Sequence, residues 1–461
     1  MTRLVVVSNR VAIPTGGGTP PGGLAVAVLA ALKEHGGMWF GWSGEVTGDA
    51  DPEIGITRRR NITYATVDLE RTEHEQYYNG FCNSVLWPLC HYRTHYVEYS
   101  RQEWHAYNRV NEFFARKLAP LLEPGDLIWV HDYHLFSLAR KLRDLGVRNR
   151  MGFFLHIPFP AWGLWRSLPA YKELLQHTCE YDLVGFQTRD DLVAFHNCAI
   201  YGLNLEVEDG RKIKLDHRSL EADVFPIGID VKAVASMARE SVGSSTSKRL
   251  LRSLRRRRLI IGVDRLDYSK GLESRFRAFE RFLERFPRHN RKCVFLQVAP
   301  QSRKDVEAYG EIRRELEEAA GHINGRFADF DWVPIRYLNQ GFGRKTLMGL
   351  LRTAQVGLVT PLRDGMNLVA KEYVAAQDPK NPGVLVLSRL AGAARELMDG
   401  AVMVNPFDLD AVAEALDTAL SMPLSERIER WKTMMAVLRD HDINAWRRSY
   451  VERLEGCNPD A

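Results

Sequence analysis

The chain has 461 residues, of which 45% are hydrophobic and 26% are charged, and its formal net charge is +5. This length exceeds what one hydrophobic core usually supports, so about two domains are expected. The small net charge gives no indication of a nucleic acid or a membrane surface as partner. No apolar run is long enough to span a bilayer or to act as a signal peptide, which predicts a cytoplasmic protein.

The six cysteines show no Cys-x-x-Cys spacing. This pattern argues against a zinc site and against a disulfide-stabilised scaffold. A reduced, metal-free protein is therefore expected.

The first half of the chain alternates short apolar runs with helical patterns. Strands are predicted at residues 4–7, 127–131, 151–156 and 183–186, and helices at 24–33, 135–145 and 170–179. Such alternation is typical of parallel strands joined by helical crossovers, hence of a doubly wound α/β domain.

A glycine- and proline-rich segment, residues 14–23, separates the first strand from the first helix. Its glycine spacing matches neither Gly-x-Gly-x-x-Gly nor a P-loop. A loop that closes over a substrate and a plain surface loop are both compatible with this composition.

The alternation pauses near residue 230 and then resumes, which places a domain boundary there. Residues 231–258 are predicted to form a helical connector. Strands are predicted at 260–263, 293–299, 332–338, 356–359, 384–387 and 402–404. The predicted domains are therefore 1–230 and 231–443, with a terminal helical segment, 444–461, packing back on the first domain.

A turn with two cations follows the first strand of the second half. Arg265 and Lys270 lie between that strand and a helix beginning near Leu272. Because arginine binds phosphate in a bidentate way and lysine adds a point charge, the pair suits a diphosphate leaving group. The alternative is a pair of surface cations beside Asp264 and Asp267.

A second turn, residues 360–367, follows the predicted strand at 356–359. It leads into a helix beginning near Asn367, whose first amides suit an anion. Asp364 and Glu372 are placed to hold sugar hydroxyls. The alternative is a loop rich in turn residues that carries surface acids.

Polar residues also mark the strand ends of the first half, where ligands of such sheets collect. They are Arg10, Asp132, His156 and Gln187. Aromatic residues that could cover a sugar ring include Tyr78 and Trp87. A tryptophan in the position of Trp87 is more often a core residue than a binding platform, and His156 is equally readable as a buried, satisfied histidine.

Nine motifs together resemble the trehalose-6-phosphate synthases, glycosyltransferase family 20. One of them is the run His131-Asp132-Tyr133-His134-Leu135. The motifs lie at residues 6–10, 22–24, 39–44, 77–81, 129–135, 152–160, 185–188, 265–272 and 360–372. Because they occur in order from about residue 4 to residue 446, the chain is identified as a member of that family.

The resemblance implies a retaining glycosyltransferase of the GT-B class, an α/β fold with two Rossmann-like doubly wound domains facing each other across a deep cleft. The implied reaction transfers glucose from a nucleoside-diphosphate glucose to glucose 6-phosphate, giving α,α-trehalose 6-phosphate. UDP-glucose is the first choice of donor, but the residues do not exclude GDP- or ADP-glucose. The oligomeric state, a homo-oligomer included, is left open.

The resemblance also implies roles for individual residues. Acceptor-binding residues are Arg10, Tyr78, Asp132 and Arg303. Donor-binding residues are Gly22, Gly23, Arg265, Lys270, Phe342, Leu368, Val369, Ala370, Lys371 and Glu372. The predicted catalytic residues are His156, Arg265, Lys270 and Asp364, and anomer selection is assigned to Trp87 and His156.

In the mechanism that the resemblance implies, the leaving phosphate takes the acceptor proton and no side chain acts as nucleophile. No cofactor and no metal are expected, since Arg265 and Lys270 stabilise the leaving charge. The rival functions are a glucosylglycerol-phosphate synthase, a pseudo-glycosyltransferase acting on cyclitols, and a catalytically silent sugar-phosphate sensor. The complete leaving-group site argues against the sensor.

Overall fold

The computed structural model describes residues 2–14, 28–29, 31–32, 36–301 and 307–457, with the backbone alone at 307 and 308. The chain divides into two compact units. Unit 1 comprises Met1–Ile227 together with Asn444–Ala461, and unit 2 comprises Gly228–Ile443.

Unit 1 contains a ten-stranded sheet in the order β3-β4-β2-β1-β5-β6-β7-β10-β9-β8. Its strands are β1 (Leu4–Arg10), β2 (Gly37–Thr47), β3 (Gly55–Arg59), β4 (Ile62–Glu70), β5 (Leu127–His131), β6 (Arg150–Phe154), β7 (Leu183–Phe186), β8 (Val207–Glu208), β9 (Lys212–Lys214) and β10 (Ser219–Val224). The central strands run parallel, while β3, β8 and β9 add antiparallel edges. Strand order reverses between β1 and β5, so the ends of these two strands form the switch point of the sheet.

Helices lie between many of these strands in the chain. They are α1 (Arg71–His74), a π-helix (Glu75–Leu86), α2 (Trp87–Cys90), α3 (Arg101–Leu118), α4 (Leu138–Asp144), α5 (Trp162–Trp165), α6 (Tyr171–Thr178) and α7 (Arg189–Leu203). Short 3-10 helices occur at Thr94–Tyr96, Ala119–Leu121 and Tyr133–Leu135. The predicted helix at 135–145 is therefore wrong at its start, because the chain first makes a 3-10 turn and becomes α-helical only at Leu138.

Unit 2 contains a six-stranded parallel sheet in the order β13-β12-β11-β14-β15-β16. Its strands are β11 (Arg258–Val263), β12 (Cys293–Val298), β13 (Ile335–Leu338), β14 (Val356–Val359), β15 (Val384–Ser388) and β16 (Val402–Val404). Order reverses between β11 and β14, as in a dinucleotide-binding sheet. All strand residues of β12, β14 and β15 are buried, which is typical of a sheet covered on both faces.

The helices of unit 2 are α8 (Val231–Ser241), α9 (Ser245–Leu254), α10 (Leu272–Arg285), α11 (Glu307–Phe327), α12 (Arg344–Thr353), α13 (Leu368–Ala376), α14 (Ala394–Leu397), α15 (Leu409–Ser421) and α16 (Leu424–Asp440). Short 3-10 helices lie at Tyr268–Lys270 and Pro287–His289. The predicted strand at 332–338 is wrong in its first part. Trp332 forms an isolated bridge with Asp329, and β13 begins only at Ile335, after a proline that cannot donate to the sheet.

The last helix, α17 (Ile443–Gly456), packs on the sheet of unit 1. The Tyr450 ring lies 4.7 Å from that of Trp129, and its hydroxyl donates to the carbonyl of Phe153 at 2.9 Å. A Cβ at Gly152 would lie 2.5 Å from the Tyr450 hydroxyl, so the glycine lets the helix approach the strand. Among the described residues, no helix combines the length and hydropathy needed to cross a membrane.

Candidate active site

The two cation- and acid-bearing turns of unit 2 touch each other at the switch point of its sheet. They follow β11 and β14, which are adjacent and parallel. The amide of Leu362 donates to the carbonyl of Ser269 at 2.8 Å. Gly271 has φ of +63°, and a side chain would not fit there, because a Cβ would lie 2.9 Å from Cγ of Leu362. Two stretches that the sequence singled out separately therefore form one surface.

An ion pair joins these turns. Lys270 Nζ lies 2.6 Å from Asp364 Oδ2, and the side-chain amide of Asn367 donates to the same oxygen at 3.0 Å. Arg265 is exposed on the same turn as Lys270. Asn367 adopts φ of +77°, a left-handed backbone conformation that asparagine tolerates better than most other residues. The lysine and the carboxylate are thus held side by side in unit 2.

A buried arginine makes contacts with the turn that follows β11 and with the turn that follows β14. Arg275 on α10 contacts Asp264 at 2.6 Å, Gln297 at 2.9 Å and the Thr360 hydroxyl at 2.9 Å. Its side chain is fully buried. Burial raises the pKa of Asp264, and the positive charges of Arg275 and Lys270 oppose that rise. The sequence analysis missed Arg275, although an arginine within the apolar face of α10 was a detectable signal.

The start of α13 forms the second wall of this surface. The Asn367 side chain caps the helix by accepting from the Ala370 amide at 3.1 Å. Leu368 and Val369 are half-buried and carry amides of the first turn, which lack partners within the helix. The Lys371 side chain is fully buried and lies 2.5 Å from Glu396. Burial lowers the pKa of Lys371, and Glu396 opposes that change. The Lys371 side chain thus links α13 to α14.

Glu372 pairs with an arginine that the sequence analysis missed. Arg344 Nη2 lies 3.1 Å from Glu372 Oε1. Burial raises the pKa of Glu372, and Arg344 acts in the opposite direction. Arg344 is the first residue of α12, where a cation is unfavourable towards the helix dipole, and this mismatch was the available signal. Phe342, half-buried, lies two residues before it.

Backbone hydrogen bonds join the segment after β15 to the turn at residues 360–367. The Asp364 amide donates to the Leu390 carbonyl at 3.2 Å, and the Ala393 amide donates to the Met366 carbonyl at 2.7 Å. A Cβ at Gly392 would lie 1.8 Å from the carbonyl oxygen of Gly365. This close packing of two backbones was not visible in the sequence.

In unit 1, Arg10 ends β1 at the switch point of that sheet. Its guanidinium carbon lies 5.7 Å from the centre of the Trp42 ring, a cation–π contact. Gly44, with φ of +100°, leaves the space that this guanidinium fills, because a Cβ would lie 2.5 Å from Arg10 Nη2. Trp42 and Gly44 thus set the position of the arginine.

Tyr78 lies on the π-helix, a conformation common at functional sites. Its ring stacks with His74 at 5.4 Å and with His134 at 5.9 Å between ring centres. The Trp42 ring is 5.8 Å away, so Tyr78 and Arg10 share a neighbour. The structure brings these two predicted acceptor residues together.

Asp132 follows β5, the neighbour of β1, with φ of +77°. One of its side-chain oxygens accepts from the His156 amide at 3.3 Å. Strained backbone of this kind at a strand end supports a functional interpretation. Asp132 and His156 therefore lie together at the same edge of the sheet as Arg10.

Trp87 is buried, with 4% of its surface exposed, and its ring lies 4.2 Å from His91 and 5.7 Å from Tyr133. This environment agrees with a core residue, and anomer selection by Trp87 stays a prediction. Gly22, Gly23 and Arg303 lie outside the described residues. Within the described ranges, no three His, Cys, Asp or Glu side chains are grouped as metal ligands.

Known proteins resemble the chain over its whole length. Residues 17–456 match glycosyltransferase family 20. A trehalose-6-phosphate synthase of Enterobacter sp. (strain 638) is 50% identical over 459 residues, which cover 100% of this chain and 96% of the relative.

Solved structures of trehalose-phosphate synthases also resemble this chain over nearly its whole length. An α,α-trehalose-phosphate synthase (UDP-forming) from Burkholderia xenovorans, in complex with glucose 6-phosphate, has a TM-score of 0.95 and 51% identity, covering 98% of this chain and 100% of that one. A structure from E. coli bound with UDP-2-fluoro glucose has a TM-score of 0.93 and 50% identity, covering 98% of this chain and 99% of that one. The predicted α/β GT-B class and the predicted resemblance are confirmed. Because the family match spans most of the sequence, the chain belongs to glycosyltransferase family 20.

Proposed function

We propose that the chain transfers glucose from UDP-glucose to the anomeric hydroxyl of glucose 6-phosphate, giving α,α-trehalose 6-phosphate and UDP. The contact between the Arg265–Lys270 turn and the Asp364 turn carries this proposal, because it places cations and a carboxylate together at the switch point of unit 2. UDP is chosen as the nucleotide because a relative is UDP-forming and another structure holds a UDP-sugar analogue.

In the proposed reaction the bond between the donor C1 and the diphosphate oxygen breaks while C1 bonds to the acceptor oxygen on the same face. The departing phosphate oxygen takes the acceptor proton. Arg265 and Lys270 stabilise the charge that develops on the diphosphate, and this stabilisation is stronger in the transition state than in the ground state. Asp364, which already lies beside Lys270, binds hydroxyls of the transferred glucose, and Glu372 binds the ribose.

Product analysis tests the function directly. Purified protein is mixed with UDP-, GDP- or ADP-glucose and with glucose 6-phosphate or glycerol 3-phosphate, and products are identified by mass spectrometry. We expect a disaccharide phosphate from UDP-glucose and glucose 6-phosphate. A product from glycerol 3-phosphate alone would favour the glucosylglycerol-phosphate synthase, and binding without turnover would favour the sensor.

The acceptor assignment predicts a selective effect at Arg10. Arg10→Ala should raise KM for glucose 6-phosphate far more than KM for the donor, because a charged contact to the phosphate is lost. Initial rates with each substrate varied in turn measure both constants. Equal increases would contradict separate binding residues.

A substitution at Gly44 tests the role of Arg10 indirectly, through the position of its guanidinium. Gly44→Ala adds a Cβ where the Arg10 guanidinium lies, at a φ that disfavours side chains. We expect KM for glucose 6-phosphate to rise by about tenfold, as for one displaced charged hydrogen bond. Gly48→Ala is the matched control, since a Cβ at Gly48 meets nothing within 4 Å. An unchanged KM in Gly44→Ala would show that this packing does not position Arg10.

We further propose that cations of the chain replace a metal ion in this reaction. Treatment with EDTA followed by desalting should leave kcat unchanged, because Arg265 and Lys270 meet the leaving charge. A rate that falls and returns with added Mg²⁺ would contradict this proposal.

We infer that the enzyme works in the reducing cytoplasm. Support comes from the six cysteines, each of which is a buried thiol. Fractionation of cells that express a tagged chain checks this location, and a membrane-bound fraction would contradict it.

A further inference from the structure

Two histidines of unit 1 form a pair in which only His156 has a predicted role. His131 is the last residue of β5, and His156 lies just past the end of the adjacent strand β6. His131 Nδ1 lies 3.1 Å from His156 Nε2. His131 is fully buried, and His156 as a whole residue is half-buried. A hydrogen bond at this distance requires one of the two nitrogens to carry the proton.

Both rings are neutral near pH 7. Burial lowers the pKa of His156 to about 3. Burial, and secondarily the neighbouring imidazole, lowers the pKa of His131 well below its ordinary value. Each neutral ring carries a single proton, so the choice of nitrogen on one ring decides the choice on the other.

The surroundings of His131 select between the two arrangements. Its Nε2 is buried and has no hydrogen-bond partner among the described residues. The ring is instead flanked by aromatic groups, with the Trp129 centre at 4.6 Å and the Trp446 centre at 6.5 Å. A buried N–H without an acceptor is rarer than a buried acceptor without a donor. The proton of His131 is therefore favoured on Nδ1, where His156 accepts it.

We propose that His131 is a positioning residue whose Nδ1–H donates to Nε2 of His156 and thereby holds His156 in the Nδ1–H tautomer. The His156 ring then presents an N–H donor, rather than an acceptor, to a sugar that binds at this edge of the unit 1 sheet. The role of the tautomer in turnover rests on the proposed function. The tautomer itself does not, because it is a property of the substrate-free protein.

Nuclear magnetic resonance tests the tautomer. Full-length protein labelled with ¹⁵N in its histidines is measured without substrate by long-range ¹H–¹⁵N correlation, and His156→Gln identifies the signals of His156. We expect a proton on Nδ1 of His156 in the unaltered chain. We expect the proton to remain there in His131→Asn, since the asparagine amide nitrogen replaces Nδ1, and to move at least partly to Nε2 in His131→Leu. A proton on Nε2 of His156 in the unaltered chain, or no change in His131→Leu, would overturn the proposal.

Kinetics separate positioning from a loss of packing. For His131→Leu we expect kcat to fall by about tenfold, with KM for glucose 6-phosphate nearly unchanged and most of the rate restored in His131→Asn. His177→Leu is the control, because it removes a partly buried histidine of unit 1 that instead pairs with Ser137. An equal loss of kcat in His131→Asn and His131→Leu would contradict the proposal. A chain inactive with every donor would refute the proposed function and leave the resonance result standing.

Discussion

Alanine at Lys270 or at Arg265 is expected to lower kcat by about two to three orders of magnitude, as for the loss of a group that stabilises transition-state charge. In the structure Lys270 lies 2.6 Å from Asp364, so the Lys270 variant also leaves that carboxylate with one fewer partner. Arg265 is exposed and belongs to the same turn, so its variant tests the second cation of the predicted diphosphate site. Steady-state rates with UDP-glucose and glucose 6-phosphate provide the measurement.

Arg277→Ala is the matched control for this pair. Arg277 lies on α10 in the same unit, is largely exposed and pairs with Glu273, four residues before it. It should keep normal turnover, since exposed pairs of this kind contribute little. Near-normal turnover in both the Arg265 and the Lys270 variants would refute the assignment of the diphosphate site.

Arg275→Met should destabilise the protein by about 3–5 kcal/mol, because it removes one partner of a buried ion pair. Asp264 would remain buried with its partner gone, and Gln297 and Thr360 would each lose a hydrogen bond. Unfolding in urea, followed by fluorescence on the full-length chain, measures the change in the free energy of unfolding.

The double variant Asp264→Asn with Arg275→Met distinguishes the ion pair from simple packing. Removing the carboxylate charge together with the arginine should recover much of the lost stability, because no uncompensated charge is then buried. If Arg275→Met were as stable as the unaltered chain, the contacts of Arg275 with Asp264, Gln297 and Thr360 would not be what stabilises the two turns. A double variant no more stable than Arg275→Met would assign the loss to packing instead.

Local sequence pattern was sufficient for much of the sheet in unit 2. The predicted strands 356–359 and 402–404 coincide with β14 and β16, because short apolar runs between turn residues define buried parallel strands. Strands β2 and β4 were not predicted. Three glycines weaken the strand pattern of β2, and β4 mixes buried and half-buried positions.

The sequence also indicated which polar residues lie at or soon after strand ends, since Arg10, Asp132, Lys270 and Asp364 all follow apolar runs. It did not indicate which of them become neighbours. That depends on strand order, and both sheets reverse their order where these residues lie. The π-helix that contains Tyr78 and the left-handed backbone of Asp132 could not be predicted either, because neither has a local periodic signature in the sequence.

For the two turns of unit 2, sequence alone determined the residue types: cations after β11, and a carboxylate with a helix start after β14. The tertiary structure decided their partners. Lys270 meets Asp364 and Glu372 meets Arg344, while Arg275 joins both turns from below. Propensity and periodicity act over a few residues, whereas these contacts link side chains that are distant in sequence and meet only once the parallel strands have assembled.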